Sequence, residues 1–469
     1  MCRRRGDAIG DSGRSVSPSP CSRLSLTSLD GLYHASPAGV PMTEPTVAAG
    51  SPAAHVPPSS ATAVRSGWQA WHTVVFLCCA AVFISYIDRT NISVASIPMK
   101  EQFGWTETTK GFVLSSFFVG YLLLQVVSGT LANRYGGKVV LGVAVLWWSL
   151  FTMLTPPAAN ASLAALIGAR IALGIGEAAV FPASINMVGR WVPVQKRSRA
   201  VAFFVSGLSL GTLVSLPVTG WLVRDYGWPM PFYIFAIVGF VWVVVWAFGV
   251  GNGRGVEAEP VPAERPPIPW RRIMTTPSVW AIVINHFCGN WLLYVLLAWL
   301  PSYFKTTFGV SIANAGLLSA APWLASFVMG NVAGHLSDWM INRGRSRTFV
   351  RKLIQATSLF GGALFLLLVQ TAGSPTTGML LMCGATGTWA LCAGGYAVNS
   401  FDIAPRYADV IWGISNTVAT VPGIVGVAVT GWLVQRTGAY SAPFFVTAAV
   451  GVVGALVFLK FGSGRRQID

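Results

Sequence analysis

The hexapeptide VTGWLV occurs at residues 218–223 and again at residues 429–434. Each copy closes a long apolar stretch, and each of these stretches is the fifth in its half of the chain. Two weaker echoes have a similar spacing: GTLANRYGGK from Gly129 is followed by GHLSD from Gly334, and Asn186 with Pro193 by Asn399 with Pro405. Repeats at equivalent positions indicate two related halves that run in parallel.

The composition around these repeats is that of a membrane protein. Hydrophobic residues make up 53% of the chain and charged residues 10%, with a mean hydropathy of +0.59. A soluble protein of this length needs more polar surface. Twelve apolar stretches are long enough to cross the hydrocarbon core as helices, which takes roughly 20 residues each. We therefore predict an all-α membrane protein with twelve transmembrane helices in two pseudo-symmetric six-helix bundles.

The domain boundaries follow from the apolar stretches. We expect a disordered arm at 1–70, a first bundle at 71–251, a cytoplasmic linker at 252–277, a second bundle at 278–462 and a tail at 463–469. The arm is rich in Ser, Pro and Ala and has little apolar periodicity. Its Ser and Arg content is also typical of a plastid transit peptide, whereas Asp7, Asp11 and Asp30 are not. We predict the bacterial inner membrane, with the plastid envelope as the alternative.

The basic residues report topology. The net charge is +16, but Lys and Arg concentrate in alternate loops, near 134–138, 190–199, 254–272 and 343–352, rather than in one patch. The opposite loops hold only Lys100, Lys110, Arg224, Lys305 and Arg436. This asymmetry predicts that both termini are cytoplasmic, and it does not favour a nucleic-acid partner.

Four ionisable residues fall inside the predicted helices: Asp88 and Arg89 in the first, Arg170 and Glu177 in the fourth. Each is expensive in a bilayer, at roughly 2.5–3.5 kcal/mol on insertion scales, so such residues pair, face a cavity or mark a pathway. Arg170 and Glu177 are two helical turns apart and share one helix face. All four are expected to line one cavity between the halves, where parallel-repeat proteins place their site.

These charges suggest a mechanism. Arg89 and Arg170 would hold a carboxylate or phosphate by charge-assisted hydrogen bonds, and Asp88 and Glu177 would exchange protons as the anion arrives. The alternative is that Asp88 with Arg170, or Arg89 with Glu177, form fixed structural ion pairs.

Other polar groups in the predicted helices are ambiguous. Tyr121 and Gln125, one turn apart, would either hydrogen-bond a polyol or join helices, and His286 and His335 are interpreted as structural. We find neither a nucleophile with a paired base nor ligands at metal spacing, and the cysteines are scattered. An enzyme, a metal and a cofactor are therefore not expected.

The loop after the second helix resembles the signature of the major facilitator superfamily. The matching residues are Gly129, Asn133, Arg134, Gly136 and Lys138, and Asp338 retains the corresponding carboxylate in the second half. The resemblance implies a conformational latch. Asn133 stands where the family usually has Asp, and a solvated basic turn is the alternative.

Further motifs, over residues 71–461, resemble the anion:cation symporter family of that superfamily. They are YIDRTNISVA from Tyr86, SSFFVGYLLLQ from Ser115, RIALGIGEAAVFPA from Arg170, HFCGNWLLYVLLAWLPSYF from His286 and NSFDIAPRYADVIWGISNT from Asn399. The family includes bacterial symporters for galactonate, hexuronates and glucarate, plastid phosphate or ascorbate carriers, and animal sialic acid and vesicular glutamate transporters.

The resemblance implies roles for individual residues. It implies proton coupling at Asp88 and Glu177, and substrate contacts at Arg89, Arg170, Tyr121 and Asn416. Leu114 and Gly289 replace a histidine and an arginine of the glutamate carriers, so glutamate is not expected as cargo. The stretch SDWMINRG from Ser337 is similar to the plastid phosphate carriers and their bacterial relatives.

Our hypothesis from sequence is a monomeric symporter that couples protons to a small organic anion, such as hexuronate, galactonate or glucarate, and works by alternating access. The alternative keeps the fold and changes the cargo to inorganic phosphate, coupled to sodium.

Overall fold

The computed structural model of the chain describes residues 69–251 and 267–468. The predicted disordered arm and most of the predicted linker fall on residues 1–68 and 252–266, which lie outside the described residues. The described part has helices and short turns, as predicted, and no strand.

The described residues of the first half, 69–251, form seven helices. They are α1 (Ala70–Phe103), α2 (Glu107–Tyr135), α3 (Gly137–Ala161), α4 (Leu163–Glu177), α5 (Val180–Trp191), α6 (Arg197–Tyr226) and α7 (Met230–Gly249). The second half forms eight. They are α8 (Trp270–Thr275), α9 (Pro277–Phe308), α10 (Ile312–Asn342), α11 (Arg347–Leu368), α12 (Pro375–Ala390), α13 (Tyr396–Ile403), α14 (Ala408–Thr437) and α15 (Ser441–Phe461).

Within the described ranges, 11 helical segments are long and apolar enough to cross a membrane. The predicted tenth helix, at 378–401, is interrupted: α12 ends at Ala390, a 3-10 turn follows, and α13 begins at Tyr396. The all-helical membrane fold is thus confirmed, but sequence periodicity did not reveal this interruption.

A similar interruption separates α4 from α5, immediately after Glu177. Pro182 explains it, because proline has no N–H and its ring collides with the carbonyl four residues earlier, here that of Ala178. The fourth membrane-spanning segment is therefore divided into α4 and α5. Its first part, α4, ends at Glu177, one of the charged residues predicted to form the site.

The repeated hexapeptide lies where the two halves cross. A side chain at Gly431 would come within 2.5 Å of the Glu107 carbonyl oxygen and 3.1 Å of the Gly111 Cα on α2. At the other crossing, a side chain at Gly220 would come within 3.1 Å of Ala313 on α10. Glycine is needed at both positions because the backbones approach closely, so the repeat encodes the contact between the halves.

These crossings lie at the helix ends opposite the basic loops, which the distribution of Lys and Arg predicts to be the outer end. Side-chain hydrogen bonds join the halves near this end, from Glu107 N to Gln435 and from Lys110 to Ser302, and deeper in from Thr420 to Gln125. The structure is therefore closed at this end.

Gly120 lies at a close backbone contact between α2 and α4. A Cβ at this position would lie 1.9 Å from the Ile171 carbonyl oxygen, and one at Gly174 would lie 2.1 Å from the Phe117 carbonyl oxygen. The two glycines therefore let α2 and α4 pack backbone to backbone, which brings α4 and its two charges against the aromatic face of α2.

We expect Gly120→Val to lower the melting temperature of the purified protein clearly, because overpacking against rigid backbone costs about 1–3 kcal/mol or more. Gly168→Val is the matched control, since no atom lies within 4 Å of its added Cβ. Equal melting temperatures for the two variants, measured by fluorescence-detected size exclusion after heating, would contradict this packing.

Candidate functional site

Arg89 and Glu177 form a buried ion pair between α1 and α4. Nη2 of Arg89 lies 3.0 Å from Oε2 of Glu177, and Nε donates to the same oxygen at 3.3 Å. Ser85 donates to it as well, at 2.8 Å. Of the two ion pairs left open by the sequence, this one forms.

Aromatic rings surround the guanidinium of Arg89. Its Cζ lies 4.6 Å from the ring centroid of Tyr86, 4.7 Å from that of Phe117 and 4.8 Å from that of Tyr121. Each distance suits a cation–π contact. Arg89 is therefore held on several sides, and Tyr121, predicted to contact substrate, lies beside it.

Arg170 is the less satisfied of the two arginines. Its side chain is 1% exposed, and its Nε and Nη1 have no hydrogen-bond acceptor among the described residues. Asp88 and Glu177 act on it electrostatically, yet neither forms an ion pair with it in the described part of the chain. A buried cation without a partner is costly, so this guanidinium is suited to bind an anion.

Asp88 is buried completely, and neither carboxylate oxygen has a hydrogen-bond partner in the described ranges. Thr152 and Trp148 of α3 face it, and the Thr152 hydroxyl and Trp148 indole N–H are likewise unpartnered there. The sequence predicted Asp88 but gave no sign of these α3 neighbours. The structure thus keeps one carboxylate paired, at Glu177, and one unpaired.

The arginines border a small cavity between the halves. Arg89, Arg170 and Phe117 line it from the first half, and Tyr294 lines it from α9. The ring centroids of Tyr294 and Phe118, which both line it, are 4.4 Å apart. Its empty volume is about 280 Å³. The sequence analysis did not single out Tyr294, although it lies in one of the quoted motifs.

The remaining predicted substrate contacts lie on α2 and α14. Gln125 accepts a hydrogen bond from the Thr420 hydroxyl at 2.9 Å, across the two halves. Asn416 is half-buried one turn before Thr420. Gln125 therefore joins α2 to α14 in this structure, one of the two roles that the sequence left open. Its position between the halves also allows the other role, a hydrogen bond to a polyol.

The predicted latch residues lie at the end of α2 that carries the basic loops, which is predicted to be cytoplasmic, and nearby. Asn133 accepts a hydrogen bond from Asn186 at 3.0 Å, and Asn186 in turn accepts one from the Gly137 backbone at 3.0 Å. Gly136 has φ +86°, a conformation that favours glycine. The guanidinium of Arg134 lies over the Tyr135 ring at 5.4 Å. Uncharged amides thus connect α2 to α5, while Lys138 lies in the first turn of α3.

In the second half, Asp338 is exposed. The buried charges nearby are those of Arg351 and Asp402. Arg351 donates to Asp402 at 2.7 Å, to Ser337 at 2.6 Å and to the Gly394 carbonyl at 2.9 Å. Arg351 lies near a helix start, where a basic residue is expected to be solvated, yet its side chain is buried. Its contacts tie α10, α11 and α13 together around the interrupted span.

Residues 78–427 match the model of the Major Facilitator Superfamily. The chain belongs to this superfamily, and within it to the family of anion transporters of the anion:cation symporter type.

Three chloroplastic relatives illustrate the similarity. "Probable anion transporter 4" of Oryza sativa subsp. japonica is 38% identical, covering 85% of this chain and 69% of that protein. "Sodium-dependent phosphate transport protein 1" of Arabidopsis thaliana is 38% identical over 84% and 80%. "Ascorbate transporter" of Arabidopsis thaliana is 37% identical over 84% and 75%.

Solved structures share the fold. A bacterial homologue of the human lysosomal transporter Spinster, in an inward-facing and occupied conformation, has a TM-score of 0.68 at 16% identity, covering 84% of this chain and 97% of that one. The D-xylose-proton symporter has a TM-score of 0.66 at 17% identity, covering 84% and 99%. By its family and its relatives, the chain is an integral multi-pass membrane transporter rather than an enzyme.

Proposed function

We propose that this protein carries inorganic phosphate across a membrane by alternating access of its two halves, with the anion held by Arg170 and Arg89. The observation that carries the proposal is the buried guanidinium of Arg170, which leaves two nitrogen donors without protein acceptors. A phosphate oxyanion matches these donors, since arginine binds phosphate by charge-assisted hydrogen bonds.

Phosphate, the alternative of the sequence analysis, is favoured over a sugar acid by two considerations. One similar relative is named as a sodium-dependent phosphate transport protein. The cavity beside the arginines is also small in this closed state, and phosphate is more compact than a hexuronate. The chloroplastic names of the relatives likewise favour the plastid envelope over the bacterial inner membrane.

An organic anion is the second candidate cargo. The aromatic rings of Tyr121, Phe118 and Tyr294 provide a wall against which a ring-shaped anion would pack, with Gln125 and Asn416 available for its hydroxyl groups. A relative named as an ascorbate transporter supports this reading. Both candidates use the same arginines and differ in whether this wall contributes to binding.

Asp88 and Glu177 are proposed to couple transport to a cation. Anion binding to Arg170 changes the field at both carboxylates, because both act on this arginine electrostatically. Asp88 is the more available, since Glu177 is held by Arg89 and Ser85. We also propose that the residues of the cytoplasmic α2–α3 turn, from Gly129 to Lys138, together with Asp338, act as a conformational latch.

Uptake into proteoliposomes tests the cargo. Labelled phosphate, ascorbate, galactonate, glucuronate, glucarate and glutamate are offered under an imposed sodium gradient, a proton gradient or neither. We expect phosphate uptake that requires the sodium gradient. Proton-driven uptake of a sugar acid without phosphate uptake would reverse the choice of cargo, and the absence of uptake of any anion would contradict the proposed function.

A further inference from the structure

Lys110 is buried at the outer crossing of the two halves. It is 2% exposed, and its Nζ donates to the Ser302 hydroxyl of α9 at 2.7 Å. The same nitrogen lies 4.9 Å from the ring centroid of Trp299, also on α9. The sequence analysis counted Lys110 with the outer loops, yet its charged group is inserted against the opposite half.

Glu107 completes this cluster. Its Oε2 lies 3.6 Å from Nζ of Lys110, and its Oε1 accepts from Lys100 of α1 at 2.7 Å. Its backbone N–H donates to Gln435 of α14 at 2.9 Å. One turn of α2 therefore makes polar contacts with α9 and α14 of the second half. The Glu107 carboxylate itself is anchored within the first half.

The pseudo-symmetric crossing lacks such charges. Gly111 corresponds to Gly316 and Lys110 to Ala315, which is buried and apolar. A Cβ at Gly316 would lie 2.4 Å from the Leu216 carbonyl oxygen, so α6 and α10 pack closely there. No ion pair or side-chain hydrogen bond joins these two helices in the described part of the chain. Since close packing alone suffices at this crossing, the polar cluster at the other one needs a different explanation.

We propose that Glu107, Lys110, Ser302 and Gln435 form an outer latch that stabilises the closed outer end. Opening this end separates α2 from α9 and α14, which breaks the contacts of Lys110 with Ser302 and Trp299 but not its contact with Glu107. The latch is therefore remade only on closure. This inference rests on the alternating access of the proposed function, but on no particular cargo.

Distances between spin labels at Glu101→Cys and Ala439→Cys, on the outer ends of the two halves, test the latch. Pulsed electron–electron spectroscopy of the purified protein, with its native cysteines replaced, gives the ratio of long-distance to short-distance populations. We expect Lys110→Met to raise this ratio about tenfold, the effect of losing one hydrogen bond to a charged group. Ser302→Ala, a milder change, should shift it in the same direction.

Lys305→Met is the matched control, since this lysine lies on the same outer side and no described contact joins it to the first half. A distance distribution unchanged in both Lys110→Met and Ser302→Ala would overturn the latch, as would an equal shift in Lys305→Met. The measurement needs no cargo, so failure of the proposed phosphate transport would show in the uptake assay and leave this result interpretable.

Discussion

Replacing Arg170 by glutamine should abolish transport while leaving membrane insertion intact. The guanidinium is buried and has two donors without protein acceptors, so an anion bound there loses its principal partner. Removing one member of a buried charge pair costs about 2–5 kcal/mol, and each 1.4 kcal/mol is a factor of ten. Uptake of labelled anion into proteoliposomes should therefore fall about 30-fold or more.

Arg224→Gln is the matched control, because this arginine is exposed at the outer end and pairs with its neighbour Asp225. It should retain uptake close to the wild-type rate. Size-exclusion profiles of the two variants establish that both are folded. Substantial uptake by Arg170→Gln would show that the anion is held elsewhere.

Replacing Glu177 by glutamine should uncouple transport rather than prevent it. Glutamine keeps the volume of the side chain and its acceptor for Ser85 but removes the charge that pairs with Arg89. We expect concentrative uptake driven by a cation gradient to fall at least about tenfold, the effect of a change of about 1.4 kcal/mol. Exchange of labelled for unlabelled anion, which needs no gradient, should persist.

Asp88→Asn provides the comparison, since it neutralises the carboxylate that has no partner, and Asp225→Asn provides the control at an exposed site. Loss of exchange together with uptake in Glu177→Gln would make Glu177 a structural partner of Arg89. In that case, retained exchange without coupling in Asp88→Asn would leave Asp88 as the coupling group.

Much of the fold could be predicted from the sequence, because its signals are local. Apolar length gives the membrane-spanning helices, and the repeated hexapeptide gives the duplication. The interruptions after Glu177 and Ala390 were missed, since apolar composition continues through them. Proline at 182 was a visible signal for the first, through its effect on the preceding turn.

The site was predicted as a set of residues but not as a set of partners. The cost of charge in a bilayer identifies Asp88, Arg89, Arg170 and Glu177. Which carboxylate pairs with which arginine depends on how α1 is rotated against α4, and this follows from packing far along the chain. The spacing of residues within one helix carries no information about this pairing.

Lys110 and Arg351 were assigned to loops for a related reason. Each lies within the first turns of its helix, where a basic residue is ordinarily solvated. Both are buried here, because another helix covers that end: α9 covers Lys110, and the residues around Asp402 cover Arg351. Tertiary contacts of this kind leave no periodic signal in the sequence.

Equilibrium binding to the purified protein tests the central claim most directly, that the buried guanidinium of Arg170 holds the anionic group of the cargo. Labelled phosphate and ascorbate are titrated against wild type, Arg170→Gln and Arg224→Gln. We expect phosphate to bind wild type and Arg224→Gln equally, and Arg170→Gln at least about 30-fold more weakly, by the cost of a broken charge pair. Equal affinity of the transported anion for wild type and Arg170→Gln would contradict the account.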